Sequence, residues 1–366
     1  MGKAFNISLA AFAATGSFLF GYDSGVMTDV IASENFLEFF HTDKGSAIIG
    51  AINSTFSGGA VFGSLMGGLT MDRFGRRKTI MIGALIALVG AILQAAAQNL
   101  AMILVGRIIA GWAVGLLSMA VPVYQSECAH PKIRGLIVGL AQQMIGVGFI
   151  VSTWVGYGSA HAYGSLGQCQ TVAGIYNCVG PLANLVFITL LIDRVGRRRP
   201  LLWGTTAIAI ALICESAINS RIDKANPDHG LSIGGVFFLF CVTVIFSWSW
   251  GPISWVYMSE VMPMQIRARG NAFATGIGNW LVSTFWAQVS PIALKELDWK
   301  FYFLFVAWDI VVTIPVVFFF FKETKQMSLE EIDLLFGERS LGALPKDLDK
   351  GSFAQDERHG AEETRA

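Results

Sequence analysis

The sequence predicts an all-α transmembrane protein built from two related halves, and three observations support this fold class. Of 366 residues, 54% are hydrophobic and only 14% are charged, whereas soluble globular proteins carry about 25% charged residues. The apolar residues form runs of roughly 20, the length that crosses a bilayer as a helix. The phrase Asp-Arg-x-Gly-Arg-Arg occurs twice, at 72–77 and 193–198, each time between two apolar runs. Such a repeat, with a turn-permitting glycine, indicates two related halves.

The apolar runs predict ten helical spans. The first continues through Phe20 and Tyr22 to the polar Asp23 without a cleavage-like end, so we interpret it as a retained span and not as a signal peptide. Lysines and arginines concentrate in alternate loops, which places both termini in the cytoplasm. The predicted spans cover about residues 5–27, 46–70, 79–97, 100–124, 136–158, 171–192, 200–219, 232–258, 271–294 and 301–321.

Glycines recur at close spacing within some spans, as at 59, 63 and 67 and at 106, 111 and 115. Small residues on one helix face let two backbones approach closely in lipid. We interpret these glycines as packing surfaces between helices.

A second repeated phrase places acids and bases at the inner ends of the spans. Val-Tyr-x-Ser-Glu ends at Glu127 and again at Glu260, and an arginine follows seven residues later in each half. This belt has two interpretations: a solvated rim, or a latch of inter-helix ion pairs that holds one conformation shut. We favour the latch, a cytoplasmic gate formed by Asp72, Arg76, Glu127, Arg134, Asp193, Arg197, Glu260 and Arg267.

The residue pattern does not indicate an enzyme active site or a metal site. The five cysteines are scattered without metal-ligand spacing, and the five histidines lie in predicted loops or the tail. We therefore expect no catalytic residues, no metal, no cofactor and no nucleic-acid partner. The net charge of zero does not point to any partner.

Several phrases resemble the sugar porters of the major facilitator superfamily, in particular the fungal-type monosaccharide or hexose transporters. The resemblance covers about residues 16–333 and implies the major-facilitator fold of two pseudo-symmetric helical halves, in a plasma-membrane carrier. The phrases are both Asp-Arg-x-Gly-Arg-Arg junctions, Gly21-Tyr22-Asp23-Ser24-Gly25-Val26, Pro122-Val123-Tyr124-Gln125-Ser126-Glu127, Gly251-Pro252-Ile253-Ser254-Trp255 and Lys322-Glu323-Thr324-Lys325.

The chain also departs from that family. Its members have twelve spans and a central cytoplasmic domain, whereas here residues 163–167 already resemble the loop before the family's eighth span. We expect that the sixth span, the central domain and the seventh span are absent, leaving about ten spans. The predicted domains are an N-terminal half of five spans at 1–162, a C-terminal half of five spans at 163–322, and a largely disordered cytoplasmic tail at 323–366.

Asp23 and Arg107 are ionisable residues inside predicted spans. A lone charge at such depth costs at least about 2.5–3.5 kcal/mol, so the two are expected to pair with each other. The resemblance places Asp23 at the protonatable aspartate of proton-coupled sugar porters and Arg107 at its partner, which implies proton symport. A purely structural ion pair is the alternative.

Sugar binding requires amides for the hydroxyl groups and aromatic rings for the apolar face. The resemblance assigns this role to residues on several spans, and Pro252 is expected to kink the helix that carries one of them. The predicted substrate-binding residues are Phe20, Gln142, Gln143, Trp255, Asn279 and Trp280.

Two functions therefore follow from the sequence. The first is transport of a monosaccharide (hexose) by proton symport with alternating access, with the bilayer, the sugar and the proton as partners. Because irregular or polar surface at membrane depth needs cover, we expect this shortened form to transport poorly or not at all. The alternative is a non-transporting sugar-porter-like protein: a truncated isoform, a gene-model artefact or a sugar sensor.

Overall fold

The computed structural model describes residues 3–40, 47–162, 168–221, 229–263, 266–325, 327 and 331–332. The spans form one compact unit that ends at Met327, and a second unit, Ser328–Ala366, is described at two residues only. The predicted boundary at 162–163 and nearly all of the predicted tail lie outside the described residues.

The described chain is a succession of α-helices. Helices α7 and α8, α12 and α13, and α14 and α15 are joined by π-helical segments at Phe187–Leu191, Ala274–Leu281 and Asp309–Thr313. The helices are α1 (Lys3–Ala32), α2 (Glu34–Phe39), α3 (Ala47–Phe74), α4 (Arg76–Ala95), α5 (Leu100–Cys128), α6 (Arg134–Ala162), α7 (Gln168–Val186), α8 (Ile192–Val195), α9 (Arg198–Asn219), α10 (His229–Ser247), α11 (Trp250–Val261), α12 (Arg267–Phe273), α13 (Val282–Leu297), α14 (Phe301–Trp308) and α15 (Ile314–Phe320).

Within the described residues, eight helical stretches are long and apolar enough to cross a membrane. They match every predicted span except the first, α1, and the ninth, which runs from α12 to α13. On the α12–α13 stretch, polar residues such as Asn279 and Gln288 dilute the apolar character. The all-α membrane fold is thereby confirmed, and the count of ten spans stays a prediction.

Helices α3 and α5 pack backbone against backbone. A Cβ atom added to any of four glycines at this contact would lie closer than 3.0 Å to a carbonyl oxygen of the facing helix. The contact is reciprocal, because each helix contributes two of these glycines. Four of the six glycines predicted as packing surfaces form it: Gly59, Gly63, Gly111 and Gly115.

The glycine of each repeated junction allows a sharp turn between two helices. Gly75 has φ 81° and Gly196 has φ 94°, a left-handed conformation that glycine adopts without the strain of a side chain. Each turn reverses the chain between an outgoing and an incoming helix, α3 to α4 and α8 to α9. We call the end of the bundle that carries both turns the junction end.

The helix before Trp255 is interrupted, as the position of Pro252 predicts. Helix α10 ends at Ser247 and α11 begins at Trp250. Pro252 has no N–H group to donate to the carbonyl of Trp248, four residues earlier, so the regular hydrogen-bond ladder cannot continue through this point.

The close contact between α3 and α5 predicts a large difference between two glycine substitutions. Gly63→Ala places a methyl group against the carbonyl of Trp112, whereas a Cβ at Gly58 meets nothing within 4 Å. Overpacking of this kind costs about 1–3 kcal/mol. We expect Gly63→Ala to lower the melting temperature in detergent and Gly58→Ala to leave it unchanged. Equal melting temperatures for the two variants would contradict the backbone contact.

Candidate functional site

An ion pair lies within the membrane-spanning part of the first half. Arg107 Nη1 of α5 lies 2.9 Å from Asp23 Oδ2 of α1. The arginine side chain is 2% exposed and the aspartate side chain 26% exposed. The arginine is therefore enclosed by protein, while the carboxylate borders a cavity of about 600 Å³.

Two residues that the sequence did not indicate complete this pair. Gln94 Nε2, near the end of α4, donates to Asp23 Oδ1 at 3.2 Å. The guanidinium carbon of Arg107 lies 4.1 Å from the ring centroid of Phe56 on α3, within cation–π range. A lone amide at the end of an apolar run was the only available signal for Gln94, and nothing singled out Phe56 from the other phenylalanines.

Four of the six predicted substrate-binding residues meet at the centre of the bundle. Gln142 Oε1 of α6 accepts a hydrogen bond from Trp255 Nε1 of α11 at 3.0 Å. Trp280, in the π-helical segment before α13, donates from Nε1 to Ser118 Oγ at 3.1 Å. The ring of Phe20 stands edge-on to Trp280, with centroids 5.0 Å apart. We call Phe20, Gln142, Trp255 and Trp280 the central cluster.

Two cavities border the central cluster in the part of the chain that the structure describes. Phe20 and Trp255 line a void of about 10 Å³, roughly the volume that one water requires. A larger cavity of about 130 Å³ lies beside it, between α6, α7 and α10, and includes Gln142 and Asn184. In this conformation the predicted sugar contacts therefore bind one another.

The other two predicted residues point elsewhere. Gln143 is buried and accepts a hydrogen bond from Asn184 Nδ2 at 2.9 Å, which joins α6 to α7. The side chain of Asn279 is exposed, although the adjacent Trp280 is buried in the central cluster. Successive residues of a helix do not share a face, so the pairs Gln142–Gln143 and Asn279–Trp280 each divide between two environments.

At the junction end, both halves repeat one bidentate ion pair. Arg76 binds Glu127 through Nε and Nη2 at 2.9 and 2.8 Å. Arg197, at the equivalent position of the second junction, binds Glu260 in the same way at 3.3 and 3.0 Å. The first pair is 31% and 24% exposed, whereas both side chains of the second are 1% exposed.

The aspartates of the two junctions reach across to the opposite half. Asp193 accepts hydrogen bonds from the backbone N–H groups of Gly135 at 3.2 Å and Leu136 at 3.1 Å, at the start of α6. The partial positive charge of a helix amino terminus favours a carboxylate at this point. Asp72 binds Arg269 of α12, with Asp72 Oδ2 and Arg269 Nε 2.8 Å apart. The junction end is thus closed by contacts between the halves.

Arg134 at the start of α6 and Arg267 at the start of α12 do not form the bidentate ion pairs of the two glutamates. The sequence spacing predicts that each glutamate faces the arginine seven residues on, whereas each forms its bidentate pair with a junction arginine. Arg134 Nη1 donates to the carbonyl of Met327 at 3.1 Å, and Arg267 Nε donates to the carbonyl of Met262 at 3.1 Å. A seven-residue spacing across a loop does not determine which helix lies nearest.

The buried second-half pair is also covered by the chain that follows α15. Glu323 accepts hydrogen bonds from the backbone N–H groups of Arg197 and Arg198, at 2.8 and 3.1 Å. Thr324 Oγ1 donates to Glu260 Oε2 at 2.7 Å. Burial alone would lower the pKa of Arg197, but the nearby charges, with that of Glu260 foremost, raise it above its ordinary value. The guanidinium therefore stays charged.

Comparisons with known proteins identify the family of this chain. A family described as sugar (and other) transporter matches residues 9–170 and 165–336. The MFS-type transporter criB of Aspergillus cristatus is 28% identical over 464 aligned positions, covering 92% of this chain and 95% of that protein. The high-affinity glucose transporter of Kluyveromyces lactis is 26% identical, covering 91% and 85%. Because 464 positions exceed the 366 residues of this chain, the relative contains residues that this chain lacks.

Solved structures show the same fold. The structure of XylE, a proton:xylose symporter of the major facilitator superfamily, bound to 6-bromo-6-deoxy-D-glucose, superposes with a TM-score of 0.74 at 20% identity. The superposition covers 90% of this chain and 98% of that one. The two family matches meet at residues 165–170, close to the point where the sequence predicts an absent internal segment. The chain belongs to the sugar (and other) transporter family and has the fold of a major facilitator superfamily structure.

Proposed function

We propose that this chain has the apparatus of a monosaccharide (hexose) carrier, with the central cluster as its sugar-binding site and Gln143 and Asn279 at its margins. The observation that carries this proposal is the contact of Gln142 with Trp255. It joins an amide of α6 to an indole of α11, so groups suited to the hydroxyls and the apolar face of a sugar meet between the two halves. The Kluyveromyces lactis relative is a glucose transporter, which supports the same class of substrate.

Coupling to protons would depend on Asp23. Its carboxylate borders a cavity of about 600 Å³, whereas Arg107 is enclosed, so a proton can reach the acid without exposing the arginine. Protonation of Asp23 would weaken its attraction to Arg107 and bias the position of α1 against α5. The description of XylE as a proton:xylose symporter supports this assignment.

The junction end would act as the cytoplasmic gate, with both termini on the cytoplasmic side of the plasma membrane. The contacts of Asp72 with Arg269 and of Asp193 with the start of α6 connect the halves. Opening toward the cytoplasm requires that they break, which makes them a latch of the kind that alternating access needs.

The closed centre favours a second candidate, a sugar-porter-like protein that does not transport. The void lined by Phe20 and Trp255 is only about 10 Å³. The amide oxygen of Gln142 already accepts a hydrogen bond from Trp255. A truncated isoform, a gene-model artefact or a sugar sensor would fit this arrangement. We therefore propose that the shortened form transports slowly or not at all.

Uptake of radiolabelled glucose separates the two candidates. In cells without hexose carriers, we expect this chain to give uptake at background level, because the spans predicted to be absent would leave polar surface at membrane depth without cover. The Kluyveromyces lactis relative serves as the positive control. Insertion of that relative's internal segment between Ala162 and Gln168 should restore uptake. Saturable uptake by the 366-residue chain at the level of the control would refute the proposed loss of activity.

Proton coupling is tested in the restored chain by Asp23→Asn. The amide cannot exchange a proton, so we expect accumulation against a gradient to disappear while downhill exchange of labelled sugar continues. Asp309→Asn, the same change at a half-buried carboxylate on the segment before α15, is the matched control and should leave accumulation intact. Uphill transport that survives in Asp23→Asn would rule out the coupling role.

The two repeated ion pairs should differ in their contribution to stability. Glu260→Gln leaves the buried Arg197 without its main counter-charge, and breaking a buried pair costs about 3–5 kcal/mol. Glu127→Gln removes the equivalent but more exposed partner of Arg76, at a cost of at most about 1 kcal/mol. We expect a clearly larger drop in melting temperature for Glu260→Gln. Equal drops would show that burial does not distinguish the pairs.

A further inference from the structure

A trench runs along the outside of the first half at the junction end. Helices α1 and α4 stand on either side of α5, which forms the floor of the trench. The cavity between them has a volume of about 630 Å³, within the range of about 300–1,000 Å³ that is typical of small-molecule sites. We call it the α1–α4 trench; apart from Thr15, Arg77 and Tyr124, its lining is apolar.

The charge of the trench lies at one end. Arg77 is the second residue of α4 and is exposed, while Ile80, Met81 and Ala84 line the trench farther along the same helix. From Arg77 to Ala84 the helix rises about 10 Å. The trench therefore has a cationic mouth at the junction end and an apolar depth within the membrane, which is the complement of an anionic amphiphile.

We propose that the α1–α4 trench binds an anionic phospholipid of the cytoplasmic leaflet, with its phosphate at Arg77 and part of one acyl chain between α1 and α4. The cytoplasmic leaflet is rich in anionic lipids, which attract basic residues at the membrane surface. The trench covers about a third of the roughly 30 Å hydrocarbon core, so a lipid chain fits it better than a spanning helix. The proposal rests on the proposed orientation, in which the junction end faces the cytoplasm. It does not require that the chain transports sugar.

Native mass spectrometry of the purified full chain tests the headgroup site. With palmitoyl-oleoyl phosphatidylglycerol and phosphatidylcholine as probes, we expect preferential retention of phosphatidylglycerol. Loss of one basic residue near the membrane surface weakens binding about fivefold, so Arg77→Gln should reduce the preference by about that factor. Arg77→Lys should keep it. Arg73→Gln, which removes the same charge from the same junction outside the trench, should also keep it.

The acyl-chain site is tested by filling the trench. Ala84→Phe places a ring inside it and should reduce the retention of both lipids. Leu85→Phe is the control, since Leu85 is exposed and does not line the trench. If the melting temperature shows that Ala84→Phe does not fold, the test depends on Arg77→Gln. The side chain of Arg77 is exposed, so its replacement does not disturb the packing of the helices.

Three results would overturn the proposal. They are equal retention of the two lipids by the unmodified chain, a preference for phosphatidylglycerol that Arg77→Gln leaves unchanged, and a dimer of this chain that Ala84→Phe dissociates. The last result would assign the trench to a helix of a second copy.

Discussion

A permanently charged arginine inside an apolar helix is the constraint that organises the first half. Arg107 requires a counter-charge, and Asp23 supplies it from α1, while Gln94 from α4 holds the second carboxylate oxygen. Phe56 from α3 covers the guanidinium, and it reaches this position because the backbones of α3 and α5 touch. A Cβ at Gly111 would collide with the carbonyl of Phe56. The cover of the ion pair therefore depends on the glycine packing.

The junction end shows how one repeated sequence produces two environments. The pairs of Arg76 with Glu127 and of Arg197 with Glu260 have the same geometry but different burial. In the second half, Glu323 and the following threonine, just after the last span, cover the pair. This cover accounts for the deeper burial of the second pair.

Much of the fold could be predicted because it depends on local chemistry: apolar length, a glycine at each turn, and the proline that interrupts α10 and α11. The identity of the partners could not, because it depends on how helices rotate against each other. Spacing placed Glu127 opposite Arg134, whereas its bidentate partner is Arg76. The π-helical segment that contains Asn279 also has no signature in the sequence, and such segments change which side chains share a face.

The state of the central cluster follows from the cost of unpaired polar groups. A polar group that is fully buried without a partner costs about 1–3 kcal/mol, and the half-buried Gln142 and Trp255 avoid part of this cost by binding each other. Separating them requires a replacement for that hydrogen bond, and a sugar hydroxyl can accept from the indole and donate to the amide oxygen. A ligand shifts a conformational equilibrium only by its difference in affinity for the two states. A sugar that binds only the separated halves can therefore open this centre, provided that its contacts offset the closure between α6 and α11.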